Sequence, residues 1–204
     1  MITIIDYGLG NIRAFVNVYE RLNIKTKIAH SAKDLEDVTK LILPGVGSFD
    51  YAMSQLNASG MRAELDKQVC ENKVPIMGIC VGMQMLGKSS DEGKLPGLGW
   101  IDGCVKLFDE SSIPYKTRLP HMGWNSIQPV NNNVLLNDFD CQSRFYFLHS
   151  YYFECANREN IIATTEYGIN YSSAINKENI YGIQFHPEKS HTNGVKLLNN
   201  FANL

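Results

Sequence analysis

The chain has 204 residues, with 19 lysines and arginines against 21 aspartates and glutamates and a formal charge of −2. An apolar fraction of 44% and a charged fraction of 20% place it among ordinary globular proteins and away from disordered ones. The near-balanced charge argues against a basic face for nucleic acid or anionic lipid, and the length suits one domain, residues 1–204, around one hydrophobic core.

The opening Met1-Ile2-Thr3-Ile4-Ile5-Asp6 lacks the basic and long apolar regions of a signal peptide. No run nears the ~18 apolar residues of a membrane span. The five cysteines, Cys70, Cys80, Cys104, Cys141 and Cys155, are odd in number and never spaced C-x-x-C, which disfavours a disulfide framework or a zinc site. The expectation is a cytoplasmic chain that needs no metal or cofactor and keeps reduced thiols, most of them small buried hydrophobes.

In chain order, Ile2–Ile5 reads as a strand, followed by a glycine turn at Gly8–Gly10. A helix then fits Asn11–Leu22, where Ile12, Phe15, Val16, Tyr19 and Leu22 recur at helical spacing. Strands are predicted near Thr26–His30 and Lys40–Leu43. Ser48 is the predicted N-cap of a helix over Phe49–Leu56, and another helix is predicted over Met61–Glu71. Val74–Ile79 is a buried strand that runs straight into a helix at Val81–Leu86. This alternation predicts an α/β fold, an open and mostly parallel central sheet with helices on both faces. From Trp100 onward the pattern changes. Segments 100–108, 121–130, 144–153, 160–165, 171–175 and 180–185 are strand-like with turns between them, which predicts additional antiparallel strands. A closing helix fits Gly194–Phe201; Asp109–Pro120 and Asn131–Asn133 read as surface loops.

Ligands of an open parallel sheet gather at the carboxyl ends of its strands. Three such ends stand out: Asp6–Gly10, Pro44–Ser48 and Gly78–Gly82. The first holds a G-x-G but no third glycine, so a dinucleotide fingerprint is weak. The last, Gly78-Ile79-Cys80-Val81-Gly82, has the G-x-C-x-G form of a nucleophile elbow with sulfur in place of the serine oxygen. On a sharp strand-to-helix turn, Cys80 meets unpaired N–H groups that favour a thiolate, and the Val81 N–H can face a developing oxyanion. The same spacing also fits a structural cysteine in a glycine-rich turn. A base is needed, and His186, in Gln184-Phe185-His186-Pro187-Glu188, ends an apolar run with a carboxylate two positions on. Glu188 can fix the tautomer of that ring. Spacing alone leaves an ordinary His-Pro surface turn open, because Cys80 and His186 lie 106 positions apart.

Together these segments resemble the class I (triad) glutamine amidotransferases, most closely the glutaminase subunits of imidazole glycerol phosphate synthase. The resemblance runs essentially end to end. It rests on Ile4–Asn11, Leu43–Gly47, Gly78–Gln84, Pro120-His121-Met122-Gly123-Trp124-Asn125, Phe147–Tyr151 and Gln184–Ser190. The cysteine and His-Pro-Glu segments carry the superfamily; Pro-Gly-Val-Gly and His-Met-Gly-Trp-Asn narrow it to the histidine-pathway branch. Val81 stands where leucine is usual, a change that leaves its backbone role intact. The resemblance implies a flavodoxin-like fold and a catalytic Cys80, His186 and Glu188. It also implies an oxyanion hole from Val46 and Val81, with glutamine held by Gly45, Gly47, Gln84, Ser150 and Tyr151. It further implies a heterodimer with a (βα)₈-barrel cyclase, docked through Trp124 and Lys189, that receives ammonia to make imidazole glycerol phosphate and AICAR and raises glutaminase turnover. Trp124 could instead be core, and Lys189 a solvated charge. His149 belongs to the substrate-side strand, His121 reads as structural or interfacial, and Asp6 and Asn11 as bracing residues. His30 and His191 have no motif support.

Rival readings keep or change the chemistry. A paralogous glutaminase could feed sugar amidation in surface polysaccharide synthesis, and the vitamin B6 synthase glutaminase is a further relative, disfavoured by His121–Asn125. A catalytically silent module regulating a barrel enzyme is disfavoured by the intact Cys80, His186 and Glu188. A cysteine peptidase would need an open cleft.

Overall fold

A computed structural model of the chain describes residues 1–204 except Thr117 and Asn131, so each of the two expected loops contains one residue outside the described set. The first half alternates as its patterning predicts: β1 (Ile2–Ile5), α1 (Ile12–Arg21), β2 (Thr26–Ala29), β3 (Leu41–Gly45), α2 (Phe49–Ala58), α3 (Arg62–Asp66), β4 (Ile76–Cys80) and α4 (Val81–Gln84). The second half is mostly strand: β5 (Ser89–Ser90), β6 (Gly103–Leu107), β7 (His121–Ser126), β8 (Gln128–Pro129), β9 (Arg144–His149), β10 (Tyr151–Cys155), β11 (Ile161–Tyr167), β12 (Ile169–Lys177) and β13 (Ile180–Ile183), closed by α5 (His191–Ala202).

The main sheet runs β2-β1-β3-β4-β13-β12-β10-β6-β5, with β11 on β12 and β8 on β11. It is parallel from β2 to β13 and turns antiparallel at β12, β10 and β6. Every residue of β1, β3, β4 and β13 is buried, the pattern of strands covered on both faces. α1 starts where the Asn11 side chain accepts from the Ala14 N–H and buries Phe15, Val16, Val18 and Tyr19. β7 and β9 form a separate antiparallel ribbon that pairs Trp124 with Tyr146 and His121 with His149.

The structure corrects several details. The stretch 61–71 is α-helical only to Asp66 and then widens into a π-turn over Lys67–Glu71. The helix after Cys80 lasts four residues and stops at Gln84. Ser48 sits at the start of α2 without capping it; Glu92 Oε2 accepts from the Phe49 N–H at 2.8 Å instead. The segment 144–153 is two strands in different sheets, parted at Ser150, and 121–130 is parted at the buried Ile127. Hydropathy runs unbroken through both partings, so it cannot register a change of sheet. The cysteines differ most from expectation: only Cys80 is buried, Cys70 and Cys141 are exposed, and Cys104 and Cys155 are intermediate. Cys70 lies on the solvent side of the π-turn, whose Gln68 and Val69 are the residues turned inward, and Cys141 lies in the turn ahead of β9. Among the described residues, no helix is long and apolar enough to cross a membrane.

Candidate active site

Parallel neighbours resolve the sequence gap. β13 lies beside β4 in register, Ile183 opposite Ile79. The chain leaving β13 therefore brings His186 to the edge where β4 ends at Cys80. Cys80 has φ +56° and ψ −115°, a conformation that costs a non-glycine residue of order 1–3 kcal/mol and is found where surroundings over-determine it. Here the surroundings are three interlocked glycines. A Cβ on Gly82 would strike the Leu43 carbonyl, one on Gly78 the Gly82 carbonyl, and one on Gly45 the Gly82 nitrogen. The G-x-C-x-G spacing thus lets β3, β4 and α4 close to backbone contact around the sulfur.

The base is anchored from several sides. The His186 N–H donates to the Tyr146 carbonyl at 2.9 Å, bridging to the ribbon strand β9. Ser190 Oγ donates to the His186 carbonyl at 2.6 Å and accepts from the Tyr146 N–H at 3.0 Å. His186 Nδ1 lies 2.8 Å from Glu188 Oε1, and both side chains are buried. The ring and the Cys80 sulfur line the same cavity. The sulfur also lies 3.9 Å from the Leu148 carbonyl and accepts from Gln184 Nε2 at 3.8 Å. The structure therefore brings together the three side chains expected as nucleophile, base and orienting carboxylate.

Burial works against a charged ring at His186, but hydrogen bonds to Cys80 and Glu188, reinforced by their charges, outweigh it and hold the group up at about 10 against an ordinary 6.5. A base raised by folding contributes stability that is fully present below the unfolded value and lost as pH climbs through the folded one. The urea midpoint is therefore expected to fall between pH 6.5 and about 10, and to fall less in His186→Gln; equal slopes in the two proteins would assign the loss to other groups.

A cavity of about 300 Å³ opens over Cys80 and His186, lined also by Val46, Gly47, Val81, Gln84, Ser150 and Tyr151 among others. That volume suits a small ligand. The structure places the expected residues unevenly around it. Gly45 lies behind the wall, packed on Gly82 and paired with Cys80. Gln84 Nε2 donates to the Tyr151 carbonyl at 3.2 Å and to Gln184 Oε1 at 3.1 Å, so its amide group braces the wall. Lys189 reaches the cavity and lies 5.7 Å from the Tyr146 ring centre. Trp124 stands away from the cavity at the surface, 38% exposed, stacked on His191 at 5.2 Å. A larger cleft of about 790 Å³, with Cys104, Cys155, Glu154 and Arg158 in its wall, has no histidine among its lining residues.

Sequence reasoning missed Glu92, Leu148, Gln184, Tyr146 and Ser190. Gln184 had a usable signal, a carboxamide at the end of an apolar strand, where a buried polar group needs partners. Leu148 acts through its carbonyl and Tyr146 through its backbone, which leave no trace in residue identity. Tyr7 also serves the site: its hydroxyl donates to the Pro44 carbonyl at 2.8 Å, just ahead of the Gly45–Gly47 loop.

Residues 3–204 match the family described as Glutamine amidotransferase class-I. Proteins named Imidazole glycerol phosphate synthase subunit HisH from Bdellovibrio bacteriovorus and Leptospira interrogans are 52% and 49% identical to this chain, each over the full length of both sequences. A solved glutamine amidotransferase superposes with a TM-score of 0.76 at 19% identity, covering 99% of this chain and 97% of its own, a likeness of fold. With one family matched across almost every residue and relatives half identical from end to end, the chain belongs to the class-I glutamine amidotransferases and, within them, to the HisH family.

Proposed function

We propose that this chain is the glutaminase subunit of an imidazole glycerol phosphate synthase, releasing ammonia from glutamine through a Cys80 thioester. The observation that carries the reading is Cys80 on its strained turn, facing one cavity with a His186 whose Nδ1 meets Glu188 Oε1 at 2.8 Å, in a HisH-family chain.

Glutamine enters the 300 Å³ cavity with its amino-acid end toward Ser150 and Tyr151. Glu92 places a carboxylate in the same wall, suited to the substrate's ammonium. His186 already holds the thiol proton, and the sulfur attacks the amide carbon as a thiolate. The N–H groups of Val81 and of the Val46 peptide hold the resulting oxyanion; each such donor is worth roughly 10²–10³ in turnover. Gly47, at φ +87°, gives the Gly45–Gly47 loop the freedom to turn a peptide N–H inward. His186 then protonates the departing ammonia, and afterwards draws a proton from the water that hydrolyses the thioester to glutamate. The chain works in the cytoplasm, a reading supported by five free cysteines.

The partner is a barrel cyclase that receives the ammonia. Met122 and Trp124 project together from the ribbon strand β7, both exposed, beside His191 and the Tyr146 ring with its Lys189. Exposed aromatics of this kind are frequent binding anchors, and Trp124→Ala is expected to weaken cyclase affinity by about 2 kcal/mol, read by titration calorimetry. Unchanged affinity in the folded variant would remove Trp124 from the docking surface. The function itself is tested by complementing a histidine auxotroph that lacks this subunit, and by glutaminase assays with and without the cyclase and its nucleotide ligand. Growth, and turnover that rises with the liganded cyclase, are expected; failure to complement would sink the pathway assignment, and equal turnover in all assays would sink control by the partner.

A further inference from the structure

A series of polar groups, outside the catalytic trio, runs from the partly buried Asn125 through buried His121, Tyr171 and His149 to the cavity wall. His149 Nδ1 is 2.8 Å from the Tyr151 carbonyl oxygen. A carbonyl only accepts, so this nitrogen carries a proton. His149 Nε2, 3.2 Å from the Tyr171 hydroxyl, is then the accepting nitrogen of a neutral ring, and the hydroxyl donates to it. The hydroxyl oxygen takes the Nδ1 proton of His121, also 3.2 Å away. His121 Nε2 is left to accept from Asn125 Nδ2 at 3.3 Å, and the second proton on that nitrogen goes to the Glu166 carbonyl at 2.9 Å. Each donor is fixed by the acceptor beyond it, so the series runs one way, from Asn125 through His121, Tyr171 and His149 to the Tyr151 carbonyl. Burial pushes the His121 and His149 imidazoles down, to about 4 and about 3, which keeps both rings neutral as the series requires.

The two ends of the series give it meaning. At the inner end, the Tyr151 carbonyl also accepts from Gln84 Nε2, so two donors pin this peptide in the cavity wall. At the outer end, Asn125 follows the exposed Trp124 on β7. Between them, the Tyr171 hydroxyl is the group through which the two histidines meet.

We propose that Tyr171 is a positioning residue for glutamine: its hydroxyl completes a one-way hydrogen-bond relay that fixes the Tyr151 peptide in the substrate cavity. This inference rests on the glutaminase reading. Tyr171→Phe keeps the ring that packs edge-on to Phe108 and Phe147 and removes only the oxygen. Assayed in the complex with the cyclase, it is expected to raise KM for glutamine about tenfold while kcat stays within about threefold, because the hydroxyl touches neither Cys80 nor His186. Imidazole nitrogen NMR of the unsubstituted protein is expected to show His121 and His149 both as neutral Nδ1–H tautomers. In Tyr171→Phe, His149 Nε2 is left buried without a donor, so the ring is expected to lose its fixed Nδ1–H tautomer and with it a steady hold on the Tyr151 carbonyl, and His121 loses its preference as well. Should Tyr171→Phe fail to fold, Asn125→Asp tests the same relay from the outside. Its carboxylate is expected to draw the proton to His121 Nε2, reverse the Tyr171 hydroxyl and raise KM. A KM within twofold of the parent in either folded variant, or a His149 protonated at Nε2 in the unsubstituted protein, overturns the proposal. Missing glutaminase activity in the unsubstituted complex strikes the underlying function instead, since the tautomer pattern is read without turnover.

Discussion

Replacing Cys80 with serine is expected to lower glutaminase kcat by at least about a thousandfold in the presence of the cyclase, with the fold intact. Serine fits the same space, and the φ of +56° is imposed by the packing of Gly45, Gly78 and Gly82 rather than by the side chain. What is lost is chemical. The thiolate is a strong nucleophile at neutral pH, whereas a hydroxyl needs far more help from its base. The measurement is glutamate release, paired with mass spectrometry after a glutamine-analogue electrophile. The parent should carry the adduct on Cys80 alone, even though Cys70 and Cys141 are the exposed thiols. Adducts on those two with Cys80 untouched would show that exposure governs labelling, and would remove Cys80 as the nucleophile.

The second large effect concerns stability. Gly82→Ala is expected to cost about 3 kcal/mol or more, because the added carbon meets the Leu43 carbonyl, a backbone atom of a fully buried strand. Neither partner can swing aside as a side-chain tip would. Gly60→Ala is the comparison: Gly60 has φ +73° but nothing near its missing Cβ, so only the backbone penalty of about 1 kcal/mol applies. Urea unfolding of the two variants separates crowding from conformational strain. Equal losses would mean that α4 can shift away from β3.

Much of this architecture was legible because burial and spacing leave marks in residue identity. The apolar runs of β1, β3 and β4 mark strands covered on both faces, and Gly78, Gly82 and Gly45 are glycine because backbones touch there. Cys80, His186 and Glu188 were legible as types, while their meeting depended on β13 lying beside β4, a pairing that no local pattern encodes. The break at Ser150 was hidden because Phe147, Leu148, Tyr151 and Phe153 continue an apolar rhythm through it. The exposed cysteines were misread because thiols are judged by average habit, and Cys70 and Cys141 sit on turns. Tyr171 was read only as a strand residue; its role comes from His121 and His149, which reach it from the other sheet.

The parting at Ser150 leaves the candidate site shared between two sheets. The sulfur travels with the large sheet through β4, whereas the imidazole answers both to that sheet, through β13, and to the ribbon, through its bridge to Tyr146. A small slide of the ribbon therefore re-aims the proton acceptor while the attacking atom stays put. A partner pressing on the outer side of the ribbon is therefore expected to throttle the proposed chemistry from a surface that never meets the amide being cut.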